Sequence, residues 1–355
     1  MLNEQMLATA HNNFATAEPS ADYAMEVHDI AKTFPVRNML GRRTGGVSAV
    51  DHVSFKLPRQ QTLGIVGESG CGKSTLARLV MRLIEPDQGQ VLFRDEDLLQ
   101  LGKNGVKDMR RHIQMVFQNP YSSLNPQLSV LDNIAFSLWA NGGGKAEARS
   151  EAHQYLEAVG LPRTFADRLP GSLSGGQRQR IAIARALILK PEVVIADEAV
   201  SALDKSVQAQ VLNLFQDLKS ALNLSMIFIS HDLHVVEYMS DEILVMYLGR
   251  VVERGPAHRV FANPLHPYTQ ALLASAPSVD MEAPPKPETL LKGDLPSPLN
   301  PPSGCRFRTR CPLATERCAL ETPVLRPFGQ GQEAACLLLK EEEAASIPPS
   351  LINHS

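Results

Sequence analysis

No stretch of this 355-residue chain reaches the roughly eighteen consecutive apolar residues of a candidate membrane span. Charge of one sign is missing as well. A net charge of −3 with no basic stripe argues against a general nucleic-acid binder. The opening Met1-Leu2-Asn3-Glu4 has neither the basic start nor the apolar core of a secretory signal. Any membrane association is therefore expected to come through partner proteins. Cysteine is scarce: five residues, used unlike the framework of a secreted disulfide scaffold. Cys71 stands alone, while Cys305, Cys311, Cys318 and Cys336 all fall in the C-terminal segment. The length suits one large domain plus an appendage.

Two short strings carry most of the information. Gly67-Glu68-Ser69-Gly70-Cys71-Gly72-Lys73-Ser74 follows the apolar run Leu63-Gly64-Ile65-Val66 and precedes a helix-like stretch beginning at Thr75. That is the strand–loop–helix setting of the Walker A phosphate loop. Glycines let the backbone curl so that N–H groups face a polyanion, and the following helix presents its positive end. Lys73 is placed to reach terminal phosphates and Ser74 to hold Mg²⁺. The second string is Leu173-Ser174-Gly175-Gly176-Gln177, at the start of a stretch to Leu189 with helical apolar spacing.

Further candidates fall in order around these. Val193-Val194-Ile195-Ala196 is a short β-branched run ending in Asp197-Glu198, as a Walker B strand should. Ser201-Ala202-Leu203-Asp204 follows, and His231 comes after the apolar run Met226 to Ser230. Gln118 ends Ile113-Gln114-Met115-Val116-Phe117. Together these motifs resemble the nucleotide-binding subunit of an ABC transporter. The resemblance implies an α/β P-loop NTPase fold, a RecA-like core plus a helical subdomain. It also implies ATP and Mg²⁺ as ligands, with Phe34 stacking on adenine. Gly67 to Thr75 would cradle the phosphates, and Ser74, Gln118 and Asp197 would arrange Mg²⁺. Glu198 would be the base that polarises water, with His231 on the γ-phosphate. Ser174, Gly175, Gly176 and Gln177 would cap the nucleotide of a second ATP-binding subunit, homologous or identical.

The chain then divides as follows. Residues 1–24 are polar and small and read as a disordered tail. The cassette is expected over 25–262, with Asn38 to Ser48 as a loop and the helical subdomain at about 119–175, its helices near Leu128–Leu138 and Ala146–Val159. A C-terminal extension spans 263–340, Pro-rich from Pro277 to Pro302, and a solvated acidic tail covers 341–355. Asn263-Pro264-Leu265-His266-Pro267-Tyr268-Thr269, Gly304-Cys305-Arg306-Phe307 and Arg310-Cys311-Pro312 resemble segments of dipeptide and oligopeptide permease ATPases. That resemblance implies an importer of peptides or similar solutes at the cytoplasmic face of the inner membrane. Its partners would be two transmembrane permease subunits and, indirectly, a solute-binding protein. A soluble ABC ATPase acting on ribosomes or DNA is the alternative. It is disfavoured because no second cassette or long coiled-coil insertion is present. Ala199 stands where related sequences commonly place Pro.

The five cysteines raise two expectations. Cys71, beside Lys73 and a helix N-terminus, is expected to carry a lowered thiol pKa or else to be an inert small residue. The other four could ligate Zn²⁺ or an iron–sulfur cluster, and the permease resemblance favours [4Fe–4S]. A ligated metal would explain how a Pro-rich extension with little core keeps a shape.

Overall fold

The computed structural model describes residues 22–37, 41, 43–275 and 295–340. Two sheets organise it. The smaller is antiparallel and contains β1 (Tyr23–Arg37), β2 (Arg43–Pro58), β4 (Gln88–Phe93) and β5 (Glu96–Asp97), in the order β2-β1-β4-β5. The larger has the order β11-β12-β10-β9-β3-β8-β7-β6. Its parallel part comprises β9 (Glu242–Tyr247), β3 (Thr62–Val66), β8 (Ser225–Ile229), β7 (Val193–Asp197) and β6 (Ile113–Val116).

Those inner strands are nearly continuous apolar runs because both faces are covered. Alternate residues serve opposite cores. Ile195, Ile227 and Ile229 join the core beneath the small sheet, while Val194, Ala196, Met226 and Phe228 join the core shared with the helical subdomain. Parallel pairing requires crossovers, and helices supply them: α1 (Lys73–Val80) after β3 and α7 (Lys205–Leu222) between β7 and β8.

Between β6 and β7 the chain makes the helical subdomain: α3 (Pro120–Ser123), α4 (Val130–Ala140), α5 (Lys145–Ala158) and α6 (Gly175–Leu187). The helices expected at Leu128–Leu138, Ala146–Val159 and Gln177–Leu189 are these, each displaced by about two residues or fewer. Ser129 accepts from the Asp132 N–H to cap α4. Buried Asn133 donates to three carbonyls and accepts the Asn125 N–H, which closes the loop before it. Arg178 stacks 3.7 Å from the Tyr121 ring centre and donates to Pro170, tying α6 to α3.

Two expected boundaries shift. The tail placed at 1–24 gives way to β1 at Tyr23, because Ala24 and Met25 are buried; residues 1–21 lie outside the described residues. The loop placed at Asn38 to Ser48 is strand from Arg43 onward, since β2 pairs with β1 through Gly45, Gly46, Val47 and Ser48. Much of the Pro277–Pro302 segment and the acidic tail also lie outside the described residues.

The C-terminal extension is built on the sheet rather than wrapped loosely around it. After β10 (Arg250–Pro256), α8 (Leu233–Met239) has already been passed, and α9 (Ala257–Ala262) and α10 (Pro267–Ala274) follow. Beyond α11 (Arg317–Leu320), β11 (Arg326–Pro327) and β12 (Glu333–Ala334) add to the edge, β12 pairing with β10. Phe307, 1% exposed, packs on Tyr247, Tyr268 and His266. The expectation of an extension with little core is therefore corrected: an aromatic cluster and added strands hold it.

A buried carboxylate joins these parts. Glu253 in β10 accepts the N–H groups of Leu265 and His266 and the Gln332 amide, at 2.8, 2.9 and 2.8 Å. Burial pushes its pKa up, and these donors pull it back. His266 is buried too, which drops its pKa to about 3 and keeps the ring neutral. Its Nδ1 accepts the Tyr268 N–H, so Nε2 carries the proton. Replacing Glu253 with Ala leaves the Leu265 and His266 N–H groups without their acceptor and costs the Gln332 amide one of its two. We expect a loss of about 2–4 kcal/mol in denaturant unfolding, with Glu253→Gln losing less. An alanine variant as stable as the parent would contradict this role.

Candidate functional site

The parallel strands end on one edge of the sheet, and every loop of interest leaves from there. The phosphate loop follows β3, Gln118 follows β6, Glu198 follows β7 and His231 follows β8. Gly72 ends the loop with φ 109°, and a Cβ there would stand 2.1 Å from the Ala49 carbonyl oxygen. Only glycine meets both conditions. The loop then opens α1, whose first residue is Lys73.

Lys73 is 4% exposed, and its ammonium donates to the carbonyls of Gly67 at 2.7 Å and Glu68 at 3.0 Å. Ser74 Oγ donates to Asp197 Oδ1 at 2.8 Å. Burial raises the Asp197 pKa, with the Ser74 hydrogen bond pulling it down. A buried carboxylate beside a hydroxyl is an oxygen donor set that suits a hard cation such as Mg²⁺, with Lys73 and Arg78 offsetting only part of its burial. Gln118 Nε2 donates to Glu198 Oε2 at 2.7 Å, and His231 Nδ1 stands 3.7 Å from the same oxygen. Glu198 occupies the left-handed region at φ 47°. For a non-glycine residue this stores on the order of 1 kcal/mol or more of strain. Three bonds hold it there: its N–H to Ile229 O at 2.9 Å, and its carbonyl to the N–H and Oγ of Ser201 at 3.1 and 2.9 Å.

Lys73, Ser74, Gln118 and Glu198 border one cleft of about 450 Å³, walled also by Phe34, Ser69, Gly70, Gly72 and Thr75, whereas His231 does not line it and stands behind Glu198 Oε2 at 3.7 Å. Asp197 is reached through Ser74. The remaining expected residues stand apart from the walls. Gly67, Glu68 and Cys71 do not line the cleft. Glu68 turns its N–H to Tyr268 and its carboxylate to Arg310. Ser174, Gly175, Gly176 and Gln177 do not line it either. Ser174 caps α6, accepting the Gln177 N–H while Gln177 Oε1 accepts the Ser174 N–H. A Cβ on Gly176 would meet Val207 at 2.3 Å, whereas one on Gly175 would meet only Leu203 Cδ2, at 3.5 Å. The chain itself explains the first glycine and leaves the second open.

Sequence reading missed several wall residues, among them Pro298, Leu248 and Val47 to Ala49. Pro298 was visible only as part of a Pro-rich stretch, with nothing to say that it returns to the cleft.

Of the two expectations for Cys71, the inert small residue fits and the lowered thiol pKa is corrected. Cys71 is 1% exposed, and burial pushes its thiol up rather than down; the nearby Lys73 only partly offsets this. In the extension, burial raises the thiols of Cys305, Cys336 and Cys311, the last to about 11. The four cysteines lie within electrostatic reach of one another and are all free. Even so, among the described residues no group of three or more His, Cys, Asp or Glu is arranged to hold a metal ion. The donors are present and the ligand geometry is not.

A phosphate loop, an adjacent pair of carboxylates at a strand end and a glycine-rich capped helix on one α/β frame define an ATP-binding cassette ATPase. Residues 50–201 match the ABC transporter family, and residues 252–318 match the oligopeptide/dipeptide transporter C-terminal region. The probable peptide ABC transporter ATP-binding protein y4tS of Sinorhizobium fredii is 49% identical over 94% of both chains. The oligopeptide transport ATP-binding protein AppF of Bacillus subtilis is 48% identical, covering 88% of this chain and 97% of that one. In three dimensions the dimeric post-hydrolysis cassette MJ0796, bound to ADP and Pi, aligns with a TM-score of 0.59 at 27% identity, covering 66% of this chain and 98% of its own. The chain belongs to the ATP-binding proteins of ABC transporters, in the branch that carries the oligopeptide/dipeptide C-terminal region. It binds ATP with Mg²⁺ and hydrolyses it.

The buried position of Cys71 makes a prediction. Its thiol should resist iodoacetamide in the native protein, with or without ATP, and react only after unfolding, as peptide mass spectrometry would read. Rapid native labelling would return it to the reactive class.

Proposed function

We propose that this chain is the ATPase subunit that drives import of di- or oligopeptides, or of related small solutes, through a membrane permease. The observation that carries the proposal is the cleft that gathers Lys73, Ser74, Gln118 and Glu198 on a chain whose C-terminal half has the oligopeptide-transporter region. The names of y4tS and AppF support the peptide class. Among the described residues no helix is long and apolar enough to cross a membrane. That is consistent with two separate transmembrane subunits, a solute-binding protein feeding them, and a place at the cytoplasmic face of the inner membrane. The ribosome- or DNA-directed alternative has no such support.

Within the cleft, Phe34 offers a face to the adenine, and the N–H groups of the loop with Lys73 take the phosphate charge. Ser74 and Asp197, with Gln118, are the residues that would hold Mg²⁺, which when bound neutralises charge developing on the phosphates. Glu198 accepts a proton from attacking water, and His231 beside its Oε2 steadies that carboxylate. Ser174 to Gln177 would cap the nucleotide of a second ATP-binding subunit, with Ser174 exposed and Gly176 packed inward on Val207. Gly175 suits this role, because its own chain leaves room where a partner's phosphate would approach. ATP then closes the pair and hydrolysis reopens it.

Lys73→Ala should weaken MgATP binding by roughly tenfold or more through loss of a charge-assisted contact. Glu198→Gln should bind ATP, lose turnover by about 10²-fold or more, and accumulate an ATP-bound dimer in gel filtration. Steady-state hydrolysis at the parent rate by Glu198→Gln would remove the base from this residue.

For the four extension cysteines, the donor chemistry supports a [4Fe–4S] cluster, or Zn²⁺ as the alternative, and the arrangement of the side chains does not. A cluster predicts brown, anaerobically purified protein with stoichiometric iron and sulfide. Colourless protein with one zinc per chain would assign Zn²⁺, and protein with neither metal would leave four structural thiols.

A further inference from the structure

Glu68 sits inside the phosphate loop, yet each of its polar groups has a partner within the protein. Its N–H donates to Tyr268 Oη at 2.9 Å. Its carboxylate takes a two-pronged contact from Arg310, Nη1 to Oε2 at 2.6 Å and Nη2 to Oε1 at 3.0 Å. Its carbonyl accepts from Lys73 at 3.0 Å. Two of these partners belong to the C-terminal extension, some 200 and 242 residues away in the chain.

Both partners are rigidly held. Tyr268 is fully buried, its ring centre 4.7 Å from Tyr247 and 5.4 Å from Phe307. Tyr247 ends β9, the neighbour of the strand that launches the phosphate loop. The Arg310 side chain is 5% exposed. The segment carrying it also sends Arg306 to Asp51 and to the carbonyl of Leu248, a wall residue of the cleft whose neighbour Gly249 donates its N–H to the Cys71 carbonyl of the phosphate loop at 2.7 Å. The extension therefore holds the phosphate loop at Glu68 and, through Leu248, the segment beside it, and a paired, two-pronged guanidinium–carboxylate contact adds directional specificity to that hold.

We propose that the C-terminal extension braces the phosphate loop, with Tyr268 and Arg310 as positioning residues that fix Glu68 and so set the affinity for MgATP. A glycine-rich loop loses conformational freedom when it closes on phosphate, and that loss weakens binding. Fixing Glu68 beforehand removes part of it and also holds one of the two carbonyls that seat Lys73. The hydrolytic groups Gln118, Glu198 and His231 leave from other strands, so the brace acts on binding and leaves turnover at saturation intact.

The proposal rests on the ATPase reading and is tested on the full chain by MgATP affinity and steady-state hydrolysis. Tyr268→Phe and Arg310→Gln should each raise Kd and KM about 5–20-fold while kcat stays within about twofold, and Glu68→Gln should raise Kd by a similar factor. The Arg310→Gln/Glu68→Gln double variant should be little worse than either single one, because both remove the same contact. Arg310→Lys should recover part of the affinity. Folded variants with parental Kd and KM, or variants that lose only thermal stability, would overturn the brace. If Arg310→Gln fails to fold, Tyr268→Phe still decides, since it removes a single oxygen. A parent protein that does not bind MgATP would instead overturn the ATPase reading.

Discussion

Strand direction is the constraint on which the site depends. β9, β3, β8, β7 and β6 run parallel, so all their carboxyl ends reach one edge, and each following loop emerges there. The ladder even continues past the strands: the Glu198 N–H bonds to Ile229 and the Ser230 N–H to Ile65. A side chain just past the end of one strand is thereby held against a side chain just past the end of its neighbour, Gln118 two residues beyond β6 and Glu198 one beyond β7. Gln118 and Glu198, 80 residues apart, meet at 2.7 Å for this reason. The crossovers that parallel pairing demands also supply α1, whose start seats Lys73 and Ser74.

Much of this was readable beforehand because it is local. The apolar runs at Leu63, Val193 and Met226 are strands buried on both faces, and their alternation between two cores is the period of a strand. The apolar spacing after Ser174-Gly175-Gly176-Gln177 placed that string at a helix start, and in the structure a capping box between Ser174 and Gln177 forms there. Lys73, Ser74, Gln118 and Glu198 were placed by motif and share a cleft. The strand at Arg43 to Ser48 was hidden because glycine and arginine signal a loop, and only pairing with β1 overrides that signal.

What stayed hidden is long-range. Nothing near Glu68 announces that its carboxylate belongs to Arg310, and nothing near Pro298 announces that it walls the cleft. Cys71 misled for a related reason. Proximity to a lysine and a helix start argues for a reactive thiolate, but that argument assumes solvent, and Sγ is packed inward, where desolvation outweighs the nearby charge. The extension cysteines suggested a metal as the device that holds a Pro-rich segment. Phe307 among Tyr247, Tyr268 and His266, with Glu253 below, holds it by packing and hydrogen bonds instead.

The cap on α6 has a consequence for chemistry between molecules. Ser174 Oγ already accepts the Gln177 N–H, which uses one of its two lone pairs and leaves its proton free to donate to a visitor. Beside it lie backbone N–H groups at the start of a helix, which are donors too. The exposed tip of this subdomain is thus a surface that gives hydrogen bonds and takes few. Such a surface suits oxygen-rich anions, and its own cleft does not bring it one. On the function proposed above, a folded single chain would carry two unlike halves of one recognition event, a seat that awaits a lid and a lid that awaits a seat elsewhere.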